Sequence, residues 1–586
     1  MSEQEQWNLK DIFENKEAYD REKENCEKLL QDIKEKEGSL AKGSENLENC
    51  YRTYEKALCS YERIYSYAML YYHIDMAKPE TIKLYQEAEN LGTKFSEMTA
   101  FIEPELLEME EEKLQAYIQN PRLQKYKRIL EKLLEEKKHM LSKKQEEMLA
   151  SYAEVFAGAE NTFDTFTNTE LKLGKMQIEG REEELTEANY SNFLKNNSQI
   201  VRKQAFEKMY DAYKNVSNTI TQLYVTRVKE AVTTAKVRSY QSSLERAVKE
   251  DDSSLLVYEN LVKVVRENLS KNHEFMKLKK QLLNLPEIHL YDIYANPLET
   301  EKDEITYEEA KKELLQGLSI LGEEYVQLLQ KAFENRWLDV YPKQNKRSGA
   351  YSMGVYGVHP YVLLNFVNSK RDVSTIAHEL GHSMHSYYAS HTQGILDANY
   401  TIMVAEVAST VNEILLAEYQ IQKEQDKQKK QALLYELLEM IRATFFRQTM
   451  FAEFEKKVHE SIEKGEMLSA QDLNEIYYRL NEDYFGKEVV IDQEIQYEWE
   501  RIPHFYTPFY VYKYATGISA AITIASNILA QRQGYKEKYI DMLKQGCMKK
   551  SIDLLKMVDV DLETEKPYEI TLQYFKEKMK QLESLS

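Results

Sequence analysis

The sequence predicts a mainly α fold, and three observations carry that prediction. Glycine occurs 18 times and proline 10 times in 586 residues, so helix breakers are scarce. Charged residues make up 30% of the chain and lie in amphipathic runs at helical spacing. From Glu14 to about residue 195 these runs succeed one another with almost no strand signal.

Taken in order, the acidic and basic clusters of this first stretch, such as Glu110 to Lys113, read as solvated helix faces. A turn-prone patch at Thr162 to Gly180 predicts a short irregular insert with a small sheet. Around Asn189 the periodicity loosens, and a helix restarts at Arg202. The boundary between two lobes is therefore placed near 195, giving 1–195 and 196–586. From Ser348 to Phe366, three glycines precede β-branched and aromatic residues, which predicts one of the few strands. No fixed-period repeat is evident.

The most specific signal is His-Glu-Leu-Gly-His at 378 to 382. On a helix, His378 and His382 project one above the other from the same face, so both imidazoles can bind one ion. Glu379 stands beside the ion rather than on it, where hydrolysis needs a general base. Chance supplies such a pattern only on the order of a few hundredths of a time in this length. Val373, Ile376, Ala377, Leu380 and Met384 form an apolar stripe that pins the helix to a core and leaves both histidines at its margin. Asp372 reads as the cap of that helix.

A catalytic zinc takes three protein ligands and keeps one position open. Glu406 is the best third ligand, after a loop through Gly394 and at the margin of a second stripe, Val404, Val407, Ala408, Val411, Ile414 and Leu415. Glu413, seven residues on, either orients a ligating imidazole or is a solvated helix carboxylate. His2Glu ligation favours zinc, one ion per chain, although cobalt and manganese suit the same ligands. His385 and His391 read as polar side chains outside the ligand set.

His-Glu-Leu-Gly-His followed at this distance by Val-Ala-Glu-Val-Ala-Ser-Thr-Val-Asn-Glu resembles the thimet oligopeptidase family of zinc peptidases, in its bacterial oligoendopeptidase F branch. Segments 7 to 13, 346 to 351, 356 to 361 and 509 to 517 agree with that branch, so the resemblance runs nearly end to end. It implies two helical lobes flanking a deep substrate channel, zinc on the channel floor with one small β-sheet beside it, and endo-cleavage of short unstructured peptides. It makes 196–586 the catalytic zinc peptidase domain. It also implies oxyanion donors in the segment from Arg501 to Tyr514, namely His504 with Tyr512 or Tyr510. The His-to-Tyr interval is shorter than in the thimet branch and Phe509 stands where a tyrosine is expected, so both tyrosines stay in play.

The segment from Gly354 through Tyr356 and Gly357 to His359 is the candidate substrate-binding stretch. Its strand edge could add the substrate backbone as a further strand, with the glycines allowing close approach. A structural hairpin with its glycines in turns accounts for the same pattern.

A formal charge of −20 argues against a nucleic-acid partner. Cys26, Cys50, Cys59 and Cys547 show no paired spacing, which fits a reducing compartment. The N-terminus has no secretory pattern and no stretch approaches 18 apolar residues, so no membrane role is expected and cytoplasmic residence is the default. Two rival readings remain, a zinc exopeptidase of the dipeptidyl carboxypeptidase type and a peptide-binding helical scaffold with a silent or structural metal site. The first needs a residue that grips a peptide terminus and the second a fourth protein ligand. Oligomeric state and cleavage preference are not legible.

Overall fold

The computed structural model describes residues 3–178, 180–298 and 304–585. These are mainly helical, as the scarcity of breakers predicts, with only short strands. By contacts the chain divides into two compact units: Met1–Lys143, Lys302–Tyr419 and Ile524–Asp559 form one, and Lys144–Glu301, Gln420–Thr523 and Val560–Ser586 the other. The units interleave along the chain, a different partition from a single division near 195. No described helix is long and apolar enough to cross a membrane.

The elements that bear on function are, in chain order, helix α1 (Ser44–Ile74), the hairpin β1 (Lys175–Ile178) and β2 (Arg181–Glu184), helices α2 (Glu187–Leu194), α3 (Gln199–Lys214) and α4 (Ser217–Val237), strands β3 (Leu338–Asp339), β4 (Tyr351–Met353) and β5 (Tyr361–Leu363), then α5 (Lys370–Thr392), α6 (Ile402–Lys423), α7 (Arg447–Glu463) and α8 (Tyr512–Leu529).

In the first unit, β5 is the central strand of a three-stranded sheet. It pairs parallel with β3, Leu338 opposite Val362, and antiparallel with β4, Tyr351 opposite Leu363. All three β5 residues are fully buried, and Tyr361 and Leu363 join Trp7, Phe13 and Ile64 in one apolar core. β4 is an edge strand, half-buried along its length. On one face it meets α1, where His73 Nδ1 pairs with the Tyr351 hydroxyl at 2.8 Å, and just past the strand Glu62 accepts the Tyr356 N–H at 2.8 Å. On the other it lies against α5, where the Ser352 and Ser383 hydroxyls bond at 2.8 Å. Gly354 is needed there: a Cβ would come within 3.0 Å of Ser386 Cβ.

The cap of α5 differs from the sequence expectation. Ser369 is the N-cap, accepting the Asp372 N–H, while Asp372 sits at the third position and returns the bond to the Ser369 N–H. The pair forms a capping box, which a single preceding aspartate does not reveal.

In the second unit, the turn-prone patch does contain a small sheet, β1 and β2, closed by Gly180 at φ +80°. The stretch around Asn189, where periodicity loosens, is nevertheless the helix α2. A reciprocal Thr186–Asn189 capping box starts it, and Tyr190, Phe193 and Leu194 bury its inner face. Eight residues are too few for a helical period to stand out.

Candidate active site

Helix α5 presents the metal motif because its apolar stripe is anchored: Val373, Ile376, Ala377, Leu380 and Met384 are fully buried. His378 and His382 lie at the margin of that stripe, their Nε2 atoms 3.2 Å apart. Helix α6 brings Glu406 against them, its Oε2 3.9 Å from His378 Nε2. One ligand atom from each of the three lies within 4.8 Å of the other two. Gly381 sets this approach, because a Cβ there would meet Ser409 Cα at 2.5 Å and Ala408 O at 2.8 Å.

These residues fit a divalent cation. Two nitrogens about 2.0–2.1 Å from a tetrahedral ion lie roughly 3.3 Å apart, close to the observed separation. His378 Nδ1 pairs with Glu413 Oε1 at 2.5 Å, which fixes the ring with Nε2 facing His382 Nε2, so that an ion bound there would displace the proton His378 otherwise holds. Glu413 is thus no solvated carboxylate; Ser374 Oγ also donates to it. Burial opposes charge on His378, but the Glu413 hydrogen bond and the carboxylates of Glu413, Glu379 and Glu406 outweigh it and raise its pKa to about 9. Burial and the neighbouring His378 push His382 down to about 3, partly offset by the Ala405 backbone, so one ring stays neutral. Three carboxylates converging on two imidazoles leave a surplus of negative charge that a cation would neutralise.

Glu379 is 7% exposed and its carboxylate accepts a hydrogen bond from the Ser352 backbone on β4. Burial, with Glu406 and Glu413 adding to it and His378 opposing, lifts its pKa to about 7. Its carboxyl is no ligand of the cluster, yet it links the metal helix to an edge strand. A carboxyl that can hold or lose a proton near neutral pH and the free edge of a short strand therefore lie side by side.

The chain is similar to known proteins along nearly its whole length. Residues 192–574 match the model of peptidase family M3, and residues 105–172 match an N-terminal model described as Oligopeptidase F. The chain belongs to peptidase family M3. It is 40% identical to Oligopeptidase PepF of Bacillus subtilis over 99% of this chain and 87% of that one. A solved structure from Chlamydophila abortus superposes with a TM-score of 0.93 at 31% identity, covering 100% of this chain and 99% of that one. Oligoendopeptidase-F from Enterococcus faecium superposes with a TM-score of 0.74 at 30% identity, covering 97% and 99%.

Not every predicted site residue of this M3 peptidase lies free for a ligand. His359 has both ring nitrogens engaged, Nδ1 with Pro360 O at 2.8 Å and Nε2 with Asp11 at 3.0 Å, and its ring stacks on Trp337. The Tyr356 hydroxyl donates to Gln393 O at 3.0 Å. Gly357, at φ +75°, serves a turn, and Gly354 serves close packing on α5. Tyr356 and Gly357 thus lie in the turn between β4 and β5, with Gly354 just past β4 and His359 just before β5. His385 is 1% exposed, stacked on Tyr400 with ring centroids 3.6 Å apart, so it is core rather than surface. His391 is exposed, its Nδ1 on Tyr387 O.

The segment from Arg501 to Tyr514 is not one helix. Pro503 opens a short 3₁₀ turn, Phe509 adopts φ +57°, and α8 begins only at Tyr512. The segment alternates: Phe505, Tyr506, Phe509, Val511 and Tyr512 are buried, whereas His504 is exposed and Tyr510 and Tyr514 are half-buried. Glu455 on α7 accepts the Phe509 N–H at 2.5 Å and Arg227 on α4 donates to Tyr506 O at 2.7 Å, which together hold the left-handed residue in place. His504, Tyr510 and Tyr514 form a ring cluster, with the Tyr514 hydroxyl 3.4 Å from His504 Nε2. The Tyr512 hydroxyl instead donates to Asp251 at 3.0 Å, where Lys513 also bonds at 2.8 Å. Sequence reasoning missed Asp251 and Ser352 because neither carries a local signal; the first is 261 positions from its tyrosine.

Proposed function

We propose that the chain is a zinc-dependent endopeptidase that hydrolyses internal bonds of short oligopeptides. The observation that carries this is the convergence of His378, His382 and Glu406, with Glu413 behind His378 and Glu379 between the cluster and β4. His378, His382 and Glu406 would hold the ion. When bound, zinc polarises a carbonyl and makes water more acidic. Glu379 takes the proton of the attacking water and returns it to the leaving amine. Ser352 and its neighbours on β4 align the substrate backbone as an added strand, which gives affinity without demanding a side-chain sequence.

His504 and Tyr510 are carried forward as hydrogen-bond donors to the developing oxyanion, on family resemblance and on their cluster with Tyr514. Tyr512 is set aside because its hydroxyl is committed to Asp251. The oligopeptide substrate class is supported by the names of the relatives, Oligopeptidase PepF among them. The two matched ranges, 105–172 and 192–574, support an N-terminal part and a catalytic part divided near 195. Cytoplasmic residence is supported by four free cysteines, two of them buried.

An internally quenched peptide of about ten residues with both ends blocked tests the reading, comparing the protein with Glu379→Gln at equal metal content. Cleavage that is lost in the variant supports a metalloendopeptidase. Equal cleavage by both sinks the mechanism, and no cleavage by either favours an exopeptidase or a silent site.

A further inference from the structure

We infer that Lys513, held by Asp251, is the positioning residue for Tyr510: its ammonium fixes the phenol ring and strengthens the hydroxyl as a hydrogen-bond donor. The inference rests on the proposed oxyanion role of Tyr510 and names what orients that group.

Tyr510 and Tyr512 are held in opposite ways. Tyr512 is fully buried and its hydroxyl is committed to Asp251 Oδ2 at 3.0 Å. Tyr510 is half-buried and, among the described residues, its hydroxyl has no hydrogen-bond partner. A phenol that keeps its hydroxyl free has to be oriented through its ring. Three groups meet that ring: Lys513 Nζ at 4.7 Å from the centroid, the His504 ring at 5.8 Å and the Tyr514 ring, edge-on, at 5.5 Å.

A lysine stays over an aromatic face only if its flexible stem is tied down, and here it is. Lys513 Nζ donates to Asp251 Oδ1 at 2.8 Å, and the two side chains are only 12% and 13% exposed. Asp251 therefore serves Lys513 and Tyr512 with separate oxygens, so the ammonium keeps its anchor whether or not Tyr512 bonds. A local turn completes the approach. The Lys513 N–H donates to Tyr510 O at 3.3 Å, and residues three apart on such a turn share a face.

One face of α7 registers both the ring and its anchor. Glu455, His459 and Glu463 are four residues apart, so they line that face together. Glu455 accepts the Phe509 N–H at 2.5 Å and the His459 ring lies 4.4 Å from the Phe509 ring, which fixes the residue just before Tyr510. Glu463 accepts both the N–H and the hydroxyl of Ser243 at 2.7 Å, and Ser243 Oγ pairs with His459 Nδ1 at 2.8 Å. Ser243 begins the helix Ser243–Glu250, and Asp251 follows its last residue directly. The backbone of Tyr510 and the acid that holds Lys513 are thus set by the same helix.

This placement acts on the reaction through charge. As a phenol donates to a developing oxyanion, its own oxygen becomes more negative. A cation beside the ring stabilises that state more than the ground state, so its contribution falls on kcat rather than KM. No bond forms or breaks at Lys513.

Steady-state kinetics of the full-length metal-loaded protein on an internally quenched, end-blocked peptide test this through Lys513→Met, Tyr510→Phe and the double variant. Lys513→Met should lower kcat about tenfold with KM little changed, and Lys513→Arg, which keeps the charge, should restore most of it. In the Tyr510→Phe background the same substitution should cost less than about twofold, because the hydroxyl it serves is gone. Should Lys513→Met not fold, Lys513→Gln, which can still donate to Asp251 without the charge, carries the same prediction. Calorimetric binding of a phosphinic peptide, a tetrahedral anion, repeats the cycle without turnover and should show the same coupling. An equal loss in both backgrounds, as an ordinary structural ion pair would give, overturns the role of Lys513 and leaves Tyr510 standing. Full kcat in Tyr510→Phe instead overturns the oxyanion reading and this inference with it.

Discussion

Gly381 on α5 lies flush against Ser409 on α6, with room for a hydrogen but none for a methyl group. This contact brings Glu406, three residues before Ser409, against His378 and His382. The glycine inside the metal motif therefore acts in packing, through the helix that carries the third candidate ligand.

Gly381→Ala should force the two helices apart, because the obstructing atoms are backbone and cannot rotate away. Overpacking of this kind costs about 1–3 kcal/mol. Metal affinity should fall with it, as Glu406 moves from the imidazoles. Thermal unfolding and chelator competition check both effects, and a variant that keeps wild-type metal affinity refutes the link.

Glu413→Ala should weaken metal binding by roughly 10- to 100-fold, since it removes the acceptor that fixes the His378 ring. Helix content should not change, because Glu413 touches the site through His378 and Ser374 only. Titration of the stripped protein with zinc, followed by circular dichroism, separates the two. Zinc should restore peptidase activity to the stripped wild type.

Tyr510→Phe and Tyr512→Phe should part company. The first removes a proposed oxyanion donor and should lower kcat by about 10²-fold with KM little changed. The second breaks the bond to Asp251, a partly buried contact, and should cost about 1 kcal/mol of stability with kcat nearly intact. Steady-state kinetics beside urea unfolding decide it, and a larger kcat loss in Tyr512→Phe reverses the assignment.

Glu500 predicts a pH effect on stability. It is 1% exposed, accepts from Ser217 through one oxygen, and its other oxygen has no partner. Burial, against that single hydrogen bond, raises its pKa from 4.5 to about 8. The folded chain thus keeps a proton that the unfolded chain loses above 4.5. The contribution of Glu500 is complete below that pH and is lost as pH rises toward 8, at no more than about 1.4 kcal/mol per unit. Glu500→Gln should flatten the decline in unfolding free energy between pH 5 and 8 by up to that slope. Parallel curves for both proteins across this range exclude the effect.

Read as a sequence, the chain already determined its helical class, the metal-ligand candidates and the general-base candidate. Those depend on local periodicity: residues four apart on one helix share a face whatever surrounds them, so His378, Glu379 and His382 are legible from their spacing. The small sheet beside the motif was legible for the same reason, since β-branched and aromatic residues behind glycine punctuation favour strand locally. The tertiary structure alone decided which partners those residues meet. Glu413 could have been solvent-facing until α6 packed on α5 and placed it 2.5 Å from His378. Tyr512 was indistinguishable from Tyr510 until Asp251, far away in sequence, took its hydroxyl. His359 and Tyr356 offered polar groups that long-range contacts with Asp11, Glu62 and Gln393 consume. A hydrogen bond between distant segments leaves no periodic trace in either one, because it is set by how helices and strands pack rather than by the spacing of residues along them.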